Sequence, residues 1–419
     1  MILSIGVRPE AKLAEEAGLE IGERAGIKVD EAMRTSDSHI WAVGDAVESR
    51  DYVIGGLTVA PLAGPANRQG RIAADSICGR EVHFRGVQAT AVVGIFGLTV
   101  AMTGVNEKML RRFELTDYEV IYLHPGHHVA YFPGAKPIHI KIVFSKTDGR
   151  ILGAQAVGEE GVERRIDVIA MAIQKNGTVF DLEEAELCYA PQYGAAKDPV
   201  NMAGMVASNV MRGDLPLAPW DDVSRADALL LDVRDPAEYE AGHVENAINI
   251  PLPQLRNRIE ELPRDHPIWV YCGVGKRSYY AVRVLLQHGF QLVRNLPGGF
   301  TTFKQIDAHN SREKQAAAPS RRTLGCSGPV DPLGSNCLPG AHLSGKSVWT
   351  SASQCHRIGL GGARTMAAGC LGILGRPASS SNGHCGRFSL IKQSLARDLK
   401  EEDLRNRVEH RVEETPGQL

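Results

Sequence analysis

The chain has 419 residues, and an allowance of about 150 residues per domain gives two or three domains. Apolar residues make up 43%, enough to build packed cores and too many for a wholly disordered chain. Lys+Arg 47 against Asp+Glu 49 leaves a net charge of −2, so no chain-wide basic surface speaks for nucleic acid.

The first residues carry no basic stretch ahead of an apolar one, so no secretory leader is expected and a cytoplasmic location is. Residues 2–5 form an apolar run ending at Gly6, and 9–17 a helical stretch. A second short run, 40–43, closes on Gly44-Asp45, and helical spacing over 65–77 puts Ala66, Ile72, Ala73 and Ile77 on a buried face. Gly44 lets a backbone approach a ligand, and Asp45 can accept hydrogen bonds from hydroxyls. A lone Gly-Asp turn would be ordinary. The whole stretch from Thr35 to Ala46, with Gly6-Val7-Arg8-Pro9 before it and Leu62 to Gly70 after it, resembles the second FAD fingerprint of the pyridine nucleotide–disulfide oxidoreductases. That resemblance implies an FAD-contacting set of Gly44, Asp45 and Ala63, with Asp45 on the ribityl chain.

Residues 86–105 are free of charge and long enough in principle to cross a membrane. Four glycines and a Val/Thr/Ile-rich content favour buried sheet instead, so no membrane partner is expected. Strand-like runs at 91–101, 117–123, 138–144 and 151–157 are followed by helices around 161–175 and, after Asp198-Pro199, 198–212. This α+β segment, 86–212, resembles the dimerisation domain of the same family, which implies a homodimer. Glu186 to Pro199 has no His-Pro-Thr and Glu base of the glutathione-reductase kind. Tyr189 there, and Tyr131 in Tyr131-Phe132-Pro133-Gly134, make it similar to the coenzyme A-disulfide reductase and NADH oxidase branch. The resemblance implies that both tyrosines reach the partner's active site, where a phenol could hydrogen-bond a thiolate or protonate a leaving sulfur. Gln192, Gly194 and Ala195 depart from the branch's usual Pro and Ser-Ser. His124, His127 and His128 have no carboxylate or Cys at ligand spacing, so a solvated loop and no metal are expected.

A Pro-containing linker, 215–219, precedes a fresh alternation: strands at 229–233, 248–250 and 268–271, then a helix from 277 to 288. That pattern implies a small α/β domain with a parallel sheet. Its strongest signal runs from Trp269 to Ser278: a strand ends on Cys272, a glycine-containing loop follows, and a helix begins near Arg277. Such a turn aims backbone N–H groups and a positive helix end at one sulfur, favouring a nucleophilic thiolate. Lys276 and Arg277 add positive charge. A strand-terminal Cys taken alone is equally a small apolar core residue. However, Leu231-Asp232-Val233-Arg234-Asp235, Glu238-Tyr239, Gly242-His243-Val244, Ala247 to Pro251 and Leu296 to Phe300 resemble the rhodanese family over about 220–310. That resemblance implies that Cys272 carries sulfane sulfur as a persulfide, with Gly273, Val274, Gly275, Lys276 and Arg277 as its anion cradle. Four residues separate Cys272 from Arg277, one fewer than in related phosphatases, which suits a single sulfur better than phosphate. Asp232, Arg234 and His243 are expected to stabilise the fold.

The order of segments resembles fused coenzyme A-disulfide or persulfide reductases, which use FAD and NAD(P)H and act on thiosulfate, persulfide or CoA-type thiols. Yet the sequence has no G-x-G-x-x-G turn and no redox cysteine in an N-terminal helix. The resemblance therefore implies that 1–80 is a remnant FAD segment. Most of two nucleotide domains, on the order of 100–150 residues each, would be missing. Weak or no FAD binding, no NAD(P)H site and no reductase activity are expected, with a non-catalytic scaffold or an NADH oxidase-like remnant as alternatives. The expected architecture is thus α/β and α+β multidomain with a low-order tail, 317–419. Residues 317–397 hold one acidic residue, Asp331, against nine basic ones and five of the eight cysteines. That composition resembles out-of-frame translation, and only 392–414 has helical patterning.

Overall fold

The computed structural model describes residues 6–317 and a two-residue strand, Leu374–Gly375; the rest of the tail, with the helix expected at 392–414, lies outside them, as does the apolar run 2–5. The N-terminal segment holds α1 (Lys12–Glu16), β1 (Ile27–Lys28), β2 (Ile40–Trp41), β3 (Val47–Arg50), β4 (Leu57–Thr58) and α2 (Ala63–Ile77). The helix expected over 9–17 shrinks to α1, because Ala11 supplies no side-chain cap and Gly18, at φ +77, turns the chain away. α2 buries Gln69, Ala73 and Ser76 towards Met33, Trp41 and Phe84, and Trp41 Nε1 donates to Ser76 Oγ at 3.0 Å.

The next segment is a five-stranded antiparallel sheet in the order β5-β6-β9-β8-β7, built from β5 (Ala91–Ile95), β6 (Leu98–Gly104), β7 (Glu119–Leu123), β8 (Ile138–Phe144) and β9 (Ile151–Gly158). A short helix, α3 (Glu107–Arg112), follows β6, while α4 (Val162–Gln174), α5 (Val179–Glu184) and α6 (Pro199–Met211) pack around one core that includes Ile121, Ile140, Ile142, Ile166 and Val200. The 91–101 run is not one buried strand. It folds back at Phe96-Gly97, both in the left-handed region, and becomes a hairpin. β5 leaves Val92, Val93 and Ile95 exposed, so buried sheet holds for β6 and not for β5.

The third segment is a parallel sheet in the order β11-β10-β12-β13: β10 (Leu229–Asp232), β11 (Ile248–Asn249), β12 (Ile268–Tyr271) and β13 (Val293–Asn295). α7 (Pro236–Glu240), α8 (Lys276–Gln287) and α9 (Gly299–Ala317) complete it. β12 is buried along its length, as a central parallel strand must be, and α8 lays Ala281, Val282, Val284 and Leu285 on it. Burying each of the larger of these side chains is worth about 1.5–3 kcal/mol. The Pro-containing 215–219 stretch is no free linker: Leu217 bridges Asn295 in parallel, and Leu215 and Ala218 are buried.

Candidate active site

β12 delivers Cys272 to the edge of the buried sheet, 1% exposed, at the head of α8. Gly275, at φ +104, makes the turn into the helix and donates its N–H to Cys272 Sγ at 3.2 Å. The loop's outward carbonyls are closed by α9: Phe300 N–H donates to Cys272 O at 2.7 Å and Thr301 N–H to Gly273 O at 3.0 Å. Gly299 sits so close that a Cβ there would overlap the Cys272 carbonyl, and its φ of +62 is also left-handed. Gly299→Ala is expected to cost about 1–3 kcal/mol through backbone strain alone, measured by urea unfolding.

Around the loop, charges are paired. Arg277 donates bidentately to Glu238, at 2.6 and 2.8 Å, and reaches Asp235 at 3.3 Å. Asp235 and Glu238 are also the capping box of α7, so one acidic pair both starts that helix and ties it to the sulfur loop. The Arg277 hydrogen bonds hold Glu238 down to about 2, and Glu238 in turn raises Arg277. Arg277 therefore offers the loop less free positive charge than its sequence position implies. Lys276 and Val274 are exposed, and Lys276 has no ion pair among the described residues. Behind the loop, Arg234 donates to both oxygens of the fully buried Asp232 and to Gly242 O, and stacks over Phe300 at 4.2 Å. His243 is exposed, its ring stacked on Tyr239 at 3.9 Å.

Tyr131 and Tyr189 meet on the surface of the antiparallel-sheet segment, their hydroxyls 2.9 Å apart. That hydrogen bond pushes Tyr189 up from its ordinary value. The loops that carry them are joined beneath: Val129 N–H donates to Gly194 O, and Arg165, 2% exposed, donates to His127 O and to Asp198.

Family models match the chain in three places. Residues 1–70 match the pyridine nucleotide-disulphide oxidoreductase model, 90–198 its dimerisation domain, and 220–306 the rhodanese-like domain. The chain joins pyridine nucleotide-disulphide oxidoreductase domains to a rhodanese domain. The coenzyme A disulfide reductases of Staphylococcus epidermidis and Staphylococcus aureus are 32% and 34% identical to this oxidoreductase–rhodanese chain over 208 residues, 49% of it and 47% of theirs. A reduced CoADR-RHD of Bacillus anthracis is 46% identical with a TM-score of 0.71, covering 74% of this chain and 56% of that one. An NAD-dependent persulfide reductase from A. fulgidus is 41% identical with a TM-score of 0.64, covering 70% and 53%. The chain thus spans about half the length of the relatives it matches.

In this oxidoreductase–rhodanese chain Asp45 and Ala63 sit on an open cleft of about 1430 Å³ that Arg8, Arg24, Asn67 and Arg112 also line; Gly44 does not line it. Gly44, at φ +89, donates its N–H to Gln69 Oε1 at 2.8 Å, and Gln69 is held by Ser49 Oγ. Asp45 is exposed, and no side chain caps α2, whose first residue is Ala63. An exposed carboxylate beside uncapped helix N–H groups fits a group rich in hydroxyls and carbonyls, as the ribityl and ring edge of a flavin are.

Of the expected site residues, Cys272, Gly273, Val274, Gly275, Lys276 and Arg277 share one loop, Tyr131 and Tyr189 share one contact, and Asp45 and Ala63 share one cleft. The histidines are not a solvated loop: His128 is 6% exposed, and His124 and His127 are part-buried. Among the described residues no group of His, Cys, Asp and Glu forms a metal site, and no helix is long and apolar enough to cross a membrane. Glu238 and Gln69 stood within the matched motifs without a role. Their partners became visible only once α7 was folded against α8 and α2 against the Gly44 turn.

Proposed function

We propose that Cys272 is the sulfur carrier of a sulfurtransferase, working beside a flavoprotein half of the coenzyme A-disulfide and persulfide reductase kind. With an organic persulfide R–S–SH, the Cys272 thiolate forms a bond to the outer sulfur while the donor S–S bond breaks. R–S⁻ leaves with the electron pair and takes up the proton as R–SH, so Cys272 ends as a persulfide anion. With thiosulfate, the same attack releases sulfite. The observation that carries this reading is the Gly275 N–H aimed at Sγ at the head of α8, an N–H and helix-end environment that favours sulfur anions. The test is incubation of the purified chain with thiosulfate or an organic persulfide, followed by intact mass. A gain of one sulfur on Cys272 is expected, and no gain from either donor would refute it.

The chemistry of the remaining residues follows the same proposal. Asp45 and Ala63 would hold FAD, which when bound supplies the two electrons that reduce a disulfide or persulfide, while Gly44 shapes the turn behind them through its N–H on Gln69. Tyr131 and Tyr189 share one proton line, so either can donate to a leaving thiolate of a CoA-type substrate. A homodimer through 86–212 is supported by the apolar residues that β5 and its turn leave in solvent, with Phe96 94% exposed. Flavin absorbance of the purified chain tests the cofactor directly: a stoichiometric yellow protein is the outcome for a complete site, and a colourless one removes FAD from the proposal while leaving Cys272 untouched.

A further inference from the structure

Thr302 joins the rhodanese domain to the antiparallel sheet. Its Oγ1 lies 2.8 Å from Nε2 of His124, which follows β7, and His124 Nδ1 lies 2.7 Å from Nδ1 of His139 on β8. The two rings meet edge to face with centroids 4.8 Å apart, and Thr302 is 2% exposed. Gly298 packs into the same junction, a Cβ there lying 2.8 Å from Tyr122 Cβ and 3.0 Å from His124 Nε2. Thr302 stands directly after the two residues, Phe300 and Thr301, whose amides close the carbonyls of Cys272 and Gly273.

We propose that His124 is a positioning residue for Cys272: through Thr302 it fixes the first turn of α9, and that turn fixes the carbonyl side of the sulfur loop. The functional half of this inference rests on the reading of Cys272 as sulfur carrier; the geometric half does not.

Two Nδ1 atoms at this distance need one proton between them, so one ring donates and the other accepts. Neutral His124 satisfies both contacts in either tautomer. It can donate from Nδ1 and accept the Thr302 hydroxyl at Nε2, or donate from Nε2 and accept from His139. Protonating both rings sets two N–H groups and two charges against each other and breaks the pair. The other titratable groups along these strands are Glu119 and Tyr122 on β7 and Lys141 on β8, the latter paired with Glu107 of α3; α9 contributes the Thr302 hydroxyl and, two residues on, Lys304 over the Phe300 ring. Burial, and then the charge of His139, lower His124 to about 4, and burial lowers His139 as well. The parted junction takes up protons at the ordinary histidine value of 6.5 and the docked one only near 4. Docking is therefore complete above about pH 6.5 and is lost progressively as pH falls towards 4.

The test is amide exchange of the full chain, read over residues 299–303 and corrected for intrinsic rates, from about pH 7 to about pH 5. Protection of the wild type is expected to fall about tenfold or more over that range, as the His124 shift requires. The double variant His124→Gln with His139→Gln, in which an amide can still meet Thr302 and neither ring is left to titrate, should change less than about twofold. Thr302→Val should show the low protection already near neutral pH, and its Cys272 should load sulfur several-fold more slowly. A flat wild-type profile, or a double-variant profile that falls in parallel with it, overturns the positioning role. If wild-type Cys272 takes sulfur from neither thiosulfate nor an organic persulfide, the sulfurtransferase reading fails, and the exchange profiles still decide the positioning.

Discussion

Cys272→Ser is expected to abolish sulfur loading, lowering it by a factor on the order of 10³ or more with either donor. A thiolate attacks the outer sulfur of a persulfide because sulfur is polarisable and a thiol is a far stronger acid than an alcohol; a serine hydroxyl offers neither property. The substitution changes one buried atom, so the fold should persist, and retained far-UV circular dichroism would show that it does. Cys78→Ser is the control, since Cys78 is an exposed free thiol at the end of α2, away from the loop. The sequence also places five cysteines between 317 and 397, so the loaded sulfur should be located by peptide mass mapping as well as by total yield. Sulfur carried equally by Cys272→Ser would move the chemistry to another cysteine and end the assignment.

The sulfur loop was legible in the sequence because its parts are contiguous. A strand, a cysteine, a glycine turn and a helix start within ten residues leave the chain few other ways to fold, and helix α8 begins one residue before the position expected. Helices α4 and α6 were legible for a similar reason. α4 carries apolar residues at helical spacing, and α6 begins at a capping box formed by Asp198 and Asn201. What stayed hidden depends on partners far apart in the chain. Nothing near Arg277 announces that Glu238, 39 residues earlier, engages its guanidinium, and nothing near His124 announces a hydroxyl 178 residues later. The β5–β6 hairpin was missed for a local reason: Phe96-Gly97 carries no polar turn residue, so an apolar run through 91–101 looks continuous until the backbone reverses.

The Tyr131–Tyr189 contact is held from below by a buried ion cluster, and breaking that cluster should be strongly destabilising to the antiparallel-sheet domain. Asp198, 3% exposed, accepts from Arg165 at 2.9 Å and from Arg164 at 2.8 Å, while also accepting the Val200 N–H that begins α6. Arg165 extends the cluster to His127 O and Gly161 O, so the two tyrosine-bearing loops are anchored on one guanidinium. Asp198→Ala removes a helix cap, worth about 1 kcal/mol, and strands a buried positive charge, which costs about 3–5 kcal/mol. A total loss of about 4 kcal/mol is expected in urea unfolding, because such terms do not add fully. Arg164→Ala separates this from a generic surface effect. Arg164 is 35% exposed and leaves the Asp198–Arg165 pair intact, so its loss should cost about 1 kcal/mol or less. Equal effects from the two substitutions would mean that Asp198 acts through its exposed partner alone, and the tyrosine loops would then need a different anchor.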